Sequence, residues 1–222
     1  MRKAGRMNLQ VMEEECLRII ENADARLEMN VTGKHYLLSS GAHSESFFNM
    51  ARVFERYAWR NFFAQFLLRR MRAEGIDEHT NPDCRIDVLV GPATGAMPLL
   101  YSLQGLPELE NTRVIYAERD KSGRFAFAKG FEVLDNERVF IVDDVGTTFK
   151  SLKAVKILLD KFNPVYVGFG VLIDRSSEGS THALSKWLGE HPVISGMRIP
   201  LVKYDNEEEC PHCKNRVELI RV

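Results

Sequence analysis

Hydrophobic residues recur at helical spacing in two parts of the N-terminal third of the chain. In residues 8–27 they stand three or four positions apart, which predicts an amphipathic helix. Residues 32–49 instead carry two short apolar runs separated by a polar turn at 39–44, and this pattern predicts a strand, a loop and a second short strand. A single long helix is predicted for residues 52–74, where apolar side chains recur every four positions at Phe54, Ala58, Phe62 and Phe66.

After Gly75 the pattern changes to short apolar runs that alternate with helical segments. Four such runs predict strands of a parallel sheet, at residues 87–90, 113–117, 139–142 and 165–173. The third run is followed by a predicted helix at about 151–161. Residues 118–136 carry phenylalanines among charges and glycines, which indicates a hairpin-like excursion or a mobile loop. We expect one α/β domain over residues 1–222.

Composition narrows the class of protein. Of the 222 residues, 45% are hydrophobic and 27% charged, which are ordinary proportions for a globular chain. The 30 lysines and arginines nearly balance the 31 aspartates and glutamates, which disfavours nucleic acid or a membrane as a partner. The longest apolar stretch is far shorter than the roughly 20 residues of a membrane-spanning helix. We expect a cytoplasmic protein without a secretory signal.

The strongest chemical signal follows the third apolar run. Asp143 and Asp144 end the predicted strand there, and three hydroxyl residues follow at the start of a helix: Thr147, Thr148 and Ser151. In open parallel sheets, ligands bind beyond the carboxyl ends of the strands. Two adjacent carboxylates can accept hydrogen bonds from a sugar diol or organise a divalent cation, while hydroxyls and helix N-terminal amides receive a phosphate. This arrangement indicates a site for a phosphorylated ribose, although a lone strand-end acid would more often shape a turn.

Two competing nucleotide-binding motifs are missing from the sequence. Gly33 and Lys34 lack the upstream glycine of a Walker A loop, and Gly168 and Gly170 lie in an apolar run without the third glycine of a dinucleotide-binding loop. ATPase and dinucleotide dehydrogenase functions are therefore disfavoured.

The segment Asp-Asp-Val-Gly-Thr-Thr at residues 143–148 resembles the phosphoribosyl-pyrophosphate (PRPP) signature of type I phosphoribosyltransferases. Leu-Ser-Ser-Gly-Ala-His-Ser at 38–44 and Val-Gly-Pro-Ala-Thr-Gly-Ala at 90–96 are similar to two signatures of the orotate branch of that family. The resemblance implies a parallel sheet flanked by helices, with an N-terminal hood (about residues 1–50) and a C-terminal tail (about 205–222). It also implies a homodimer that uses Mg²⁺ to transfer phosphoribose from PRPP to orotate, giving orotidine 5′-monophosphate and pyrophosphate.

The resemblance further implies a role for each matching residue. Asp143 and Asp144 would face the ribose hydroxyls, Thr94 and Gly95 would receive the pyrophosphate, and Arg175 and Phe48 would hold the base. The 5′-phosphate would lie among Thr147, Thr148 and Ser151. Catalytic roles fall to Asp144 and to Arg119 and Lys121, which would lie on a flexible loop that closes over the neighbouring subunit's site. Structural alternatives are a simple tight turn at Gly91 and Gly95, a surface ion pair of Arg175 with Asp174 or Glu178, and a solvated charged loop at 118–124.

Several positions depart from the family pattern. Phe149 stands where the family's phosphate loop usually has glycine, and because phenylalanine disfavours positive φ, we expect another loop conformation or weaker phosphate binding there. Gly146 replaces a commonly aliphatic residue, Ala42 replaces a commonly basic one, and the loop at 118–124 has no histidine. Two alternatives therefore stay open: a phosphoribosyltransferase for another base, and a catalytically silent PRPP-binding regulatory protein.

Cys210 and Cys213 stand at the spacing of a zinc site or a redox pair, but a four-ligand zinc site needs two more ligands. A second subunit, or His212 with His191, would complete such a site; otherwise we expect reduced thiols in the tail. His35, His43, His79 and His182 show no ligand spacing and are interpreted as surface or core residues.

Overall fold

The computed structural model describes residues 8–38, 41–127 and 130–222. Its helices are α1 (Leu9–Asn22), α2 (Met29–Thr32), α3 (Ala51–Phe54), α4 (Tyr57–Ala73), α5 (Met97–Gln104), α6 (Lys150–Leu159), α7 (Ser180–Trp187) and α8 (Pro211–Lys214). Its strands are β1 (Arg26–Glu28), β2 (Lys34–Leu37), β3 (His43–Ser44), β4 (Ser46–Phe48), β5 (Val88–Pro92), β6 (Arg113–Arg119), β7 (Phe125–Phe127), β8 (Arg138–Gly146), β9 (Val165–Asp174), β10 (Val193–Arg198), β11 (Lys203–Tyr204) and β12 (Glu218–Arg221). Residues 39, 40, 128 and 129, which belong to the predicted polar turn and the predicted excursion, lie outside the described residues.

The central sheet has six strands in the order β10-β9-β8-β5-β6-β7, and only β7 is antiparallel to its neighbour. All four predicted strands are present, which confirms the parallel α/β fold. β10 was not predicted from the sequence, because this strand lies at the edge of the sheet and its apolar residues are interrupted by Ser195 and Gly196. Gly196 is required there, since a Cβ would lie 2.5 Å from the carbonyl oxygen of Leu172.

Helices cover both faces of this sheet. On one face, Leu89 and Phe140 pack in a buried cluster with the large apolar residues of α1, α4 and α5. On the other face, Val88, Val90 and Ile141 pack with α6 and α7. Successive residues of β5 and β8 thus enter opposite clusters, and both strands have apolar residues at consecutive positions because they are buried on both sides.

The long helix predicted for residues 52–74 is wrong in one respect: it is two helices, α3 and α4, separated at Glu55 and Arg56. Arg56 is extended, with φ −99° and ψ 118°, and Arg60 Nη1 donates to the carbonyl oxygen of Phe54 at 3.3 Å. The break changes the helical phase, so that Ala58 is exposed and Phe63 is fully buried.

The predicted first helix is confirmed from Leu9 to Asn22 but ends five residues earlier than expected. Asn8 accepts a hydrogen bond from the amide of Gln10 at the start of α1, and Asp24, with φ 49°, turns the chain into β1 shortly after its end. The predicted excursion begins as a hairpin of β6 and β7, as one of the two expectations had it.

The hood, the tail and β11, which directly precedes the tail, share a second sheet, of four strands in the order β11-β3-β2-β12, which we call the hood–tail sheet. Its strands are two to four residues long, and β12, in the tail, runs parallel to β2, in the hood. The end of the chain follows β12 directly, and the amide of Val222 donates to the carbonyl oxygen of Leu37 at 3.2 Å. Within the described ranges, each helix is too short or too polar to cross a membrane.

Candidate active site

A cleft of about 510 Å³ lies at the carboxyl edge of the central sheet, under the hood. Predicted site residues that line it are Phe48, Thr94, Gly95, Arg119, Asp143, Asp144, Thr147, Ser151 and Arg175. Thr148 lines an adjoining pocket of about 110 Å³ that shares Arg119, Asp143, Thr147 and Ser151 with the cleft. Segments that follow four different strands thus converge in one place, as the strand-end rule for parallel sheets predicts.

The two carboxylates at the end of β8 are buried side by side. Asp143 is 8% exposed, and its Oδ1 accepts the amide of Asp144 at 2.9 Å; the carboxylate of Asp144 accepts the amide of Val145 at the same distance. Among the described residues, neither carboxylate forms an ion pair with Lys, Arg or His. Burial, with the nearby charge of Asp144, raises the pKa of Asp143 well above its usual range, and burial also raises the pKa of Asp144. A hydroxyl donor or a cation would relieve this unfavourable negative charge.

The loop after β5 packs directly against this acidic pair. A Cβ on Gly95 would lie 2.9 Å from Asp144 Oδ1, and a Cβ on Gly91 would lie 2.5 Å from the carbonyl oxygen of Val142. The peptide bond between Ala93 and Thr94 is cis. These two glycines therefore do more than connect a strand to a helix: they let the backbone approach β8 and bring Thr94 into the cleft.

The loop after β8 presents free donors to the smaller pocket. In the described part of the chain, the hydroxyls of Thr147, Thr148 and Ser151 have no hydrogen-bond partner, and no side chain caps the first amides of α6. Unpaired amides at a helix N-terminus together with free hydroxyls suit an anion such as phosphate.

Phe149 adopts the left-handed backbone conformation that glycine would favour, with φ 55° and ψ 19°. Its side chain is 5% exposed, and its ring occupies the space into which a Cβ on Gly146 would project. Of the two expectations for this position, a loop conformation that avoids positive φ is wrong, and weaker phosphate binding stays a prediction. Phe149 and Gly146, the two departures from the family pattern in this loop, fit each other. The ring of Phe149 packs in the space that an aliphatic side chain at residue 146 would fill.

Arg175 follows β9 and is 2% exposed. Its Nη1 donates to the carbonyl oxygen of Ser46 at 3.2 Å, its Nη2 donates to the hydroxyl of Ser46, and its Cζ lies 4.7 Å from the centre of the Phe48 ring. Asp174 instead accepts from the amide of Ser176 and the hydroxyl of Ser195, so the surface ion pair considered for Arg175 is not formed. Burial lowers the pKa of Arg175 to about 10, which leaves it charged near neutral pH.

The Nε of Arg175 is buried and has no hydrogen-bond partner in the described structure. A buried, unpaired donor on a cation is costly, and a ligand oxygen would satisfy it. Two residues of the cleft were not predicted from the sequence: Ser46, which orients this guanidinium, and Val222, which lines the cleft after β12. Neither position carries a motif, because both reach the cleft through the arrangement of the hood and the tail.

Arg119 and Lys121 lie at the hairpin of β6 and β7 but in different surroundings. Arg119 lines both cavities, packs over the Phe125 ring at 4.3 Å and donates to the carbonyl oxygen of Gly123. Lys121 is exposed at the turn and lines neither cavity. Asp120 accepts from two amides and one hydroxyl of this turn, which gives the hairpin tip its own hydrogen-bond network.

Cys210 and Cys213 lie outside the cleft, at the start of α8, together with His35 of β2 and His43 of β3. The suggestion that His212 and His191 complete a metal site is wrong, because His212 instead bonds to Glu45 and His191 packs against Tyr166 and Phe169. His35 and His43 are buried, as one of the two expectations for them allowed, but they face the thiols. Their separation along the chain hid this, because only the pairing of β2 with β3 brings the two rings together.

Comparison with known proteins agrees with this geometry. Residues 66–187 match the family model of the phosphoribosyl transferase domain. The orotate phosphoribosyltransferase of Caldanaerobacter subterraneus subsp. tengcongensis is 30% identical over 209 residues, which cover 94% of this chain and 96% of that protein.

Two solved structures share the fold. The orotate phosphoribosyltransferase of Aeropyrum pernix superimposes with a TM-score of 0.61 at 21% identity, covering 82% of this chain and 93% of that one. The Mycobacterium tuberculosis orotate phosphoribosyltransferase in complex with PRPP gives a TM-score of 0.50 at 18% identity, covering 68% of this chain and 80% of that one. On the sequence match to the family model and to the curated relative, the chain belongs to the phosphoribosyltransferase family, in its orotate phosphoribosyltransferase branch.

Proposed function

We propose that the protein transfers phosphoribose from PRPP to orotate, giving orotidine 5′-monophosphate and pyrophosphate, as a cytoplasmic step of pyrimidine biosynthesis. The observation that carries the proposal is the convergence of the Gly95 loop, the Asp143 and Asp144 pair and the Thr147 loop on one cleft that also holds Arg175. Each group matches one part of the reactants: pyrophosphate, ribose diol, 5′-phosphate and base.

In this proposal the acidic pair binds the ribose. The hydroxyls of a ribose diol would donate to Asp143 and Asp144 and satisfy carboxylates that lack a protein cation. Loss of pyrophosphate leaves positive charge at the ribose C1, so Asp144 would also stabilise the reacting centre electrostatically. The hydroxyls of Thr147, Thr148 and Ser151 would donate to the 5′-phosphate, while Thr94 and Gly95 would receive the pyrophosphate.

The same carboxylates fit Mg²⁺, the metal that the family implies. They are adjacent, rich in oxygen and unpaired among the described residues, and these are the ligands that Mg²⁺ prefers when it is shared with substrate phosphates. When bound, Mg²⁺ neutralises charge on the departing pyrophosphate. Arg119, which lines the cleft and the smaller pocket, would add a positive charge near the same leaving group.

The base would lie beside Arg175 and Phe48, which pack on each other in the cleft. The unpaired Nε of Arg175 can donate to the carboxylate or a carbonyl of orotate while Ser46 holds the other end of the guanidinium. Phe48 provides an aromatic wall beside this cation. A planar, anionic base suits this combination better than a neutral one.

We also propose a homodimer in which Lys121 serves the partner's cleft, because Lys121 is exposed and lines neither cavity of its own chain. Complementation tests this arrangement. Lys121→Ala and Asp144→Asn subunits, when mixed and reassociated, should regain about a quarter of the wild-type sites, since each mixed dimer would have one intact site. Asp144→Asn mixed with Arg175→Ala is the matched control, because both substitutions affect the same cleft and no intact site can form. Equal activity in both mixtures would show that Lys121 does not act across the dimer.

The activity itself is tested by pyrophosphate release with PRPP, Mg²⁺ and orotate, against a control without base and parallel reactions with uracil and purines. We expect release that depends on orotate. Release with another base only would assign a different substrate. PRPP binding by calorimetry without release with any base would instead identify a regulatory PRPP-binding protein and contradict the proposed reaction.

A further inference from the structure

We infer that His35, His43, Cys210 and Cys213 form a structural zinc site that fastens the tail to the hood. One ligand atom from each residue lies within 4.8 Å of the others. This site is separate from the proposed transferase reaction, and nothing in that reaction requires it.

The distances among the ligand atoms of Cys213, His35 and His43 are close to those of a tetrahedron around zinc. Cys213 Sγ lies 3.2 Å from His35 Nε2 and 3.2 Å from His43 Nδ1, and these two nitrogens are 3.4 Å apart. With Zn–S bonds near 2.3 Å and Zn–N bonds near 2.0–2.1 Å, the edges of a regular tetrahedron are about 3.3–3.8 Å. Small shifts of side chains would therefore be enough to accept the ion.

The environment of His35 orients its ring for metal binding. Its Nδ1 donates to the carbonyl oxygen of Glu218 at 3.1 Å, which leaves the lone pair of Nε2 facing the thiols. Such a bond from the second ring nitrogen to a carbonyl is the usual outer contact of a zinc-bound histidine. It also ties the site to β12, because Glu218 is the first residue of that strand.

Charge and burial favour zinc over an empty cluster. His35 and Cys210 are 0% exposed and His43 is 5% exposed, so charged or unpaired groups here are costly. Binding of one Zn²⁺ would release the two thiol protons, and the two resulting thiolates would balance the charge of the ion. Two nitrogens and two sulfurs are a common ligand set for structural zinc, and with four protein ligands no coordination position is left open for a substrate.

A redox disulfide between Cys210 and Cys213 explains less of the structure. It would use the two thiols but give no role to two buried imidazoles that face one of them and each other. The four cysteines are free in the structure. A metal accounts for all four groups at once.

The position of the site indicates what it does. The hood–tail sheet has strands of only two to four residues, and the proposed ligands come from β2, β3 and the segment between β11 and β12. Short strands bury little apolar surface, so a crosslink among three segments would add much of their stability. The segment after β3 carries Ser46 and Phe48 to Arg175, and the segment after β12 carries Val222 into the cleft.

Metal analysis of the purified full-length protein tests the site. We expect one zinc per chain by plasma mass spectrometry, retained through gel filtration. Replacement by Co²⁺ should give the visible absorption bands of tetrahedral cobalt with a thiolate charge-transfer band. Less than a tenth of an equivalent of metal, with no uptake by the reduced protein from a zinc solution, would overturn the inference.

Matched variants locate the ligands. Cys213→Ser and His35→Gln should lower zinc content at least several-fold, whereas His212→Gln and Cys84→Ser should keep one equivalent. His212 stands between the two cysteines but bonds to Glu45, and Cys84 lies near Gly75, away from the cluster. If a ligand variant fails to fold, the wild-type protein can be used instead. A chelator removes its zinc, and hydrogen exchange is compared before and after removal. Faster exchange in residues 34–37 and 218–221, with β8 unchanged, would support the fastening role; unchanged exchange in both segments would contradict it.

Discussion

The carboxyl edge of the central sheet and the hood–tail sheet both contribute to one cleft, but they are built in different ways. β8 and β9 have nine and ten residues, most of them buried, and the acidic pair lies at the end of β8. The hood–tail sheet has strands of two to four residues drawn from distant parts of the chain. Apolar burial fixes the first region, whereas the second depends on a few specific contacts and, as we infer, on a metal.

This difference divides the proposed reaction between the two regions. The residues that we propose bind PRPP lie near the carboxyl ends of β5 and β8 and on the loops that follow them, where small displacements are resisted by close packing. The proposed base site is formed by Arg175, which follows β9, and Phe48 of the hood, which pack on each other. The bonds from Arg175 to Ser46 join the regions. Changes at the sheet edge should therefore affect PRPP and turnover, and changes in the hood should affect the base.

The largest effect is expected from Asp144→Asn at the sheet edge. The substitution keeps the size of the side chain but removes a charge that would accept a ribose hydroxyl and stabilise the reacting centre. Loss of a hydrogen bond to a charged group is worth up to about 3 kcal/mol, which is a reduction of about 100-fold in kcat/KM. Steady-state kinetics with varied PRPP would measure it.

Gly95→Ala is a companion variant for the same region. The added methyl would lie 2.9 Å from Asp144 Oδ1, so it should impair the site without removing a functional group. If the Asp144→Asn protein folds and keeps wild-type kinetics, Asp144 does not belong to the active site. The proposed division of the reaction between the sheet edge and the hood would then be wrong.

Arg175→Ala sharpens the division because Arg175 belongs to both regions. We expect KM for orotate to rise by about 10–100-fold, since a charge-assisted hydrogen bond contributes about 1.5–3 kcal/mol, while the Kd of PRPP changes little. Arg175→Lys should recover only part of this loss, because lysine cannot bond to Ser46 and the base with one planar group. An equal loss of PRPP affinity in Arg175→Ala would show that the two regions do not act separately.

The same difference explains what could be predicted from the sequence. The strands β5, β8 and β9 were predicted because burial on both faces leaves continuous apolar runs, and the acidic pair was found because it ends the run of β8. The apolar pattern predicts an element well where burial of neighbouring residues alone fixes that element. It failed at Glu55 and Arg56, where a side-chain bond to a backbone carbonyl, rather than periodicity, divides the helix.

The hood–tail sheet left almost no local signal. His35 and His43 are separated from Cys210 by most of the chain, and neither histidine has a ligand motif around it. Their meeting depends on the parallel pairing of β12 with β2 and the antiparallel pairing of β2 with β3. Long-range pairing of short strands cannot be inferred from periodicity, so half of the proposed zinc ligands and the bonds of Ser46 to Arg175 became visible only in the structure.

A smaller effect, on stability, is expected when Phe149 and Gly146 of the loop after β8 are replaced one at a time. Phe149→Gly would relieve a left-handed backbone cost of about 1 kcal/mol but lose ring burial of about 3 kcal/mol, so the protein should be less stable by about 2 kcal/mol. Gly146→Val alone should also destabilise, because its side chain would meet the Phe149 ring. In the double variant the losses should not add, with a coupling energy of about 1–2 kcal/mol in urea unfolding. Additive losses would mean that the two positions are independent.

The smallest effect is expected on the free energy of unfolding, which is lowered by the burial of Asp143 and Asp144 side by side at the carboxyl edge of the central sheet. Because burial and Asp144 raise the pKa of Asp143 in the folded state, the folded protein binds more protons than the unfolded one above the ordinary carboxyl pKa of 3.8. The free energy of unfolding therefore falls as pH rises above 3.8, until Asp143 is ionised in the folded protein as well. Asp143→Asn removes the charge, so we expect the unliganded protein to gain about 1 kcal/mol at pH 7, or about 2–4 °C in Tm.

The pH dependence separates this explanation from a general packing effect of Asp143→Asn. The stability difference between the variant and wild type should shrink as pH falls through 3.8, because below that pH Asp143 becomes protonated in the unfolded as well as the folded state. A difference that stays constant with pH would assign the gain to packing. In the presence of Mg²⁺ and PRPP the order should reverse, because the ligand stabilises only a site that can bind it. A variant that is more stable alone and less stable with ligand would show that the central sheet maintains an unfavourable charge pair for the sake of binding.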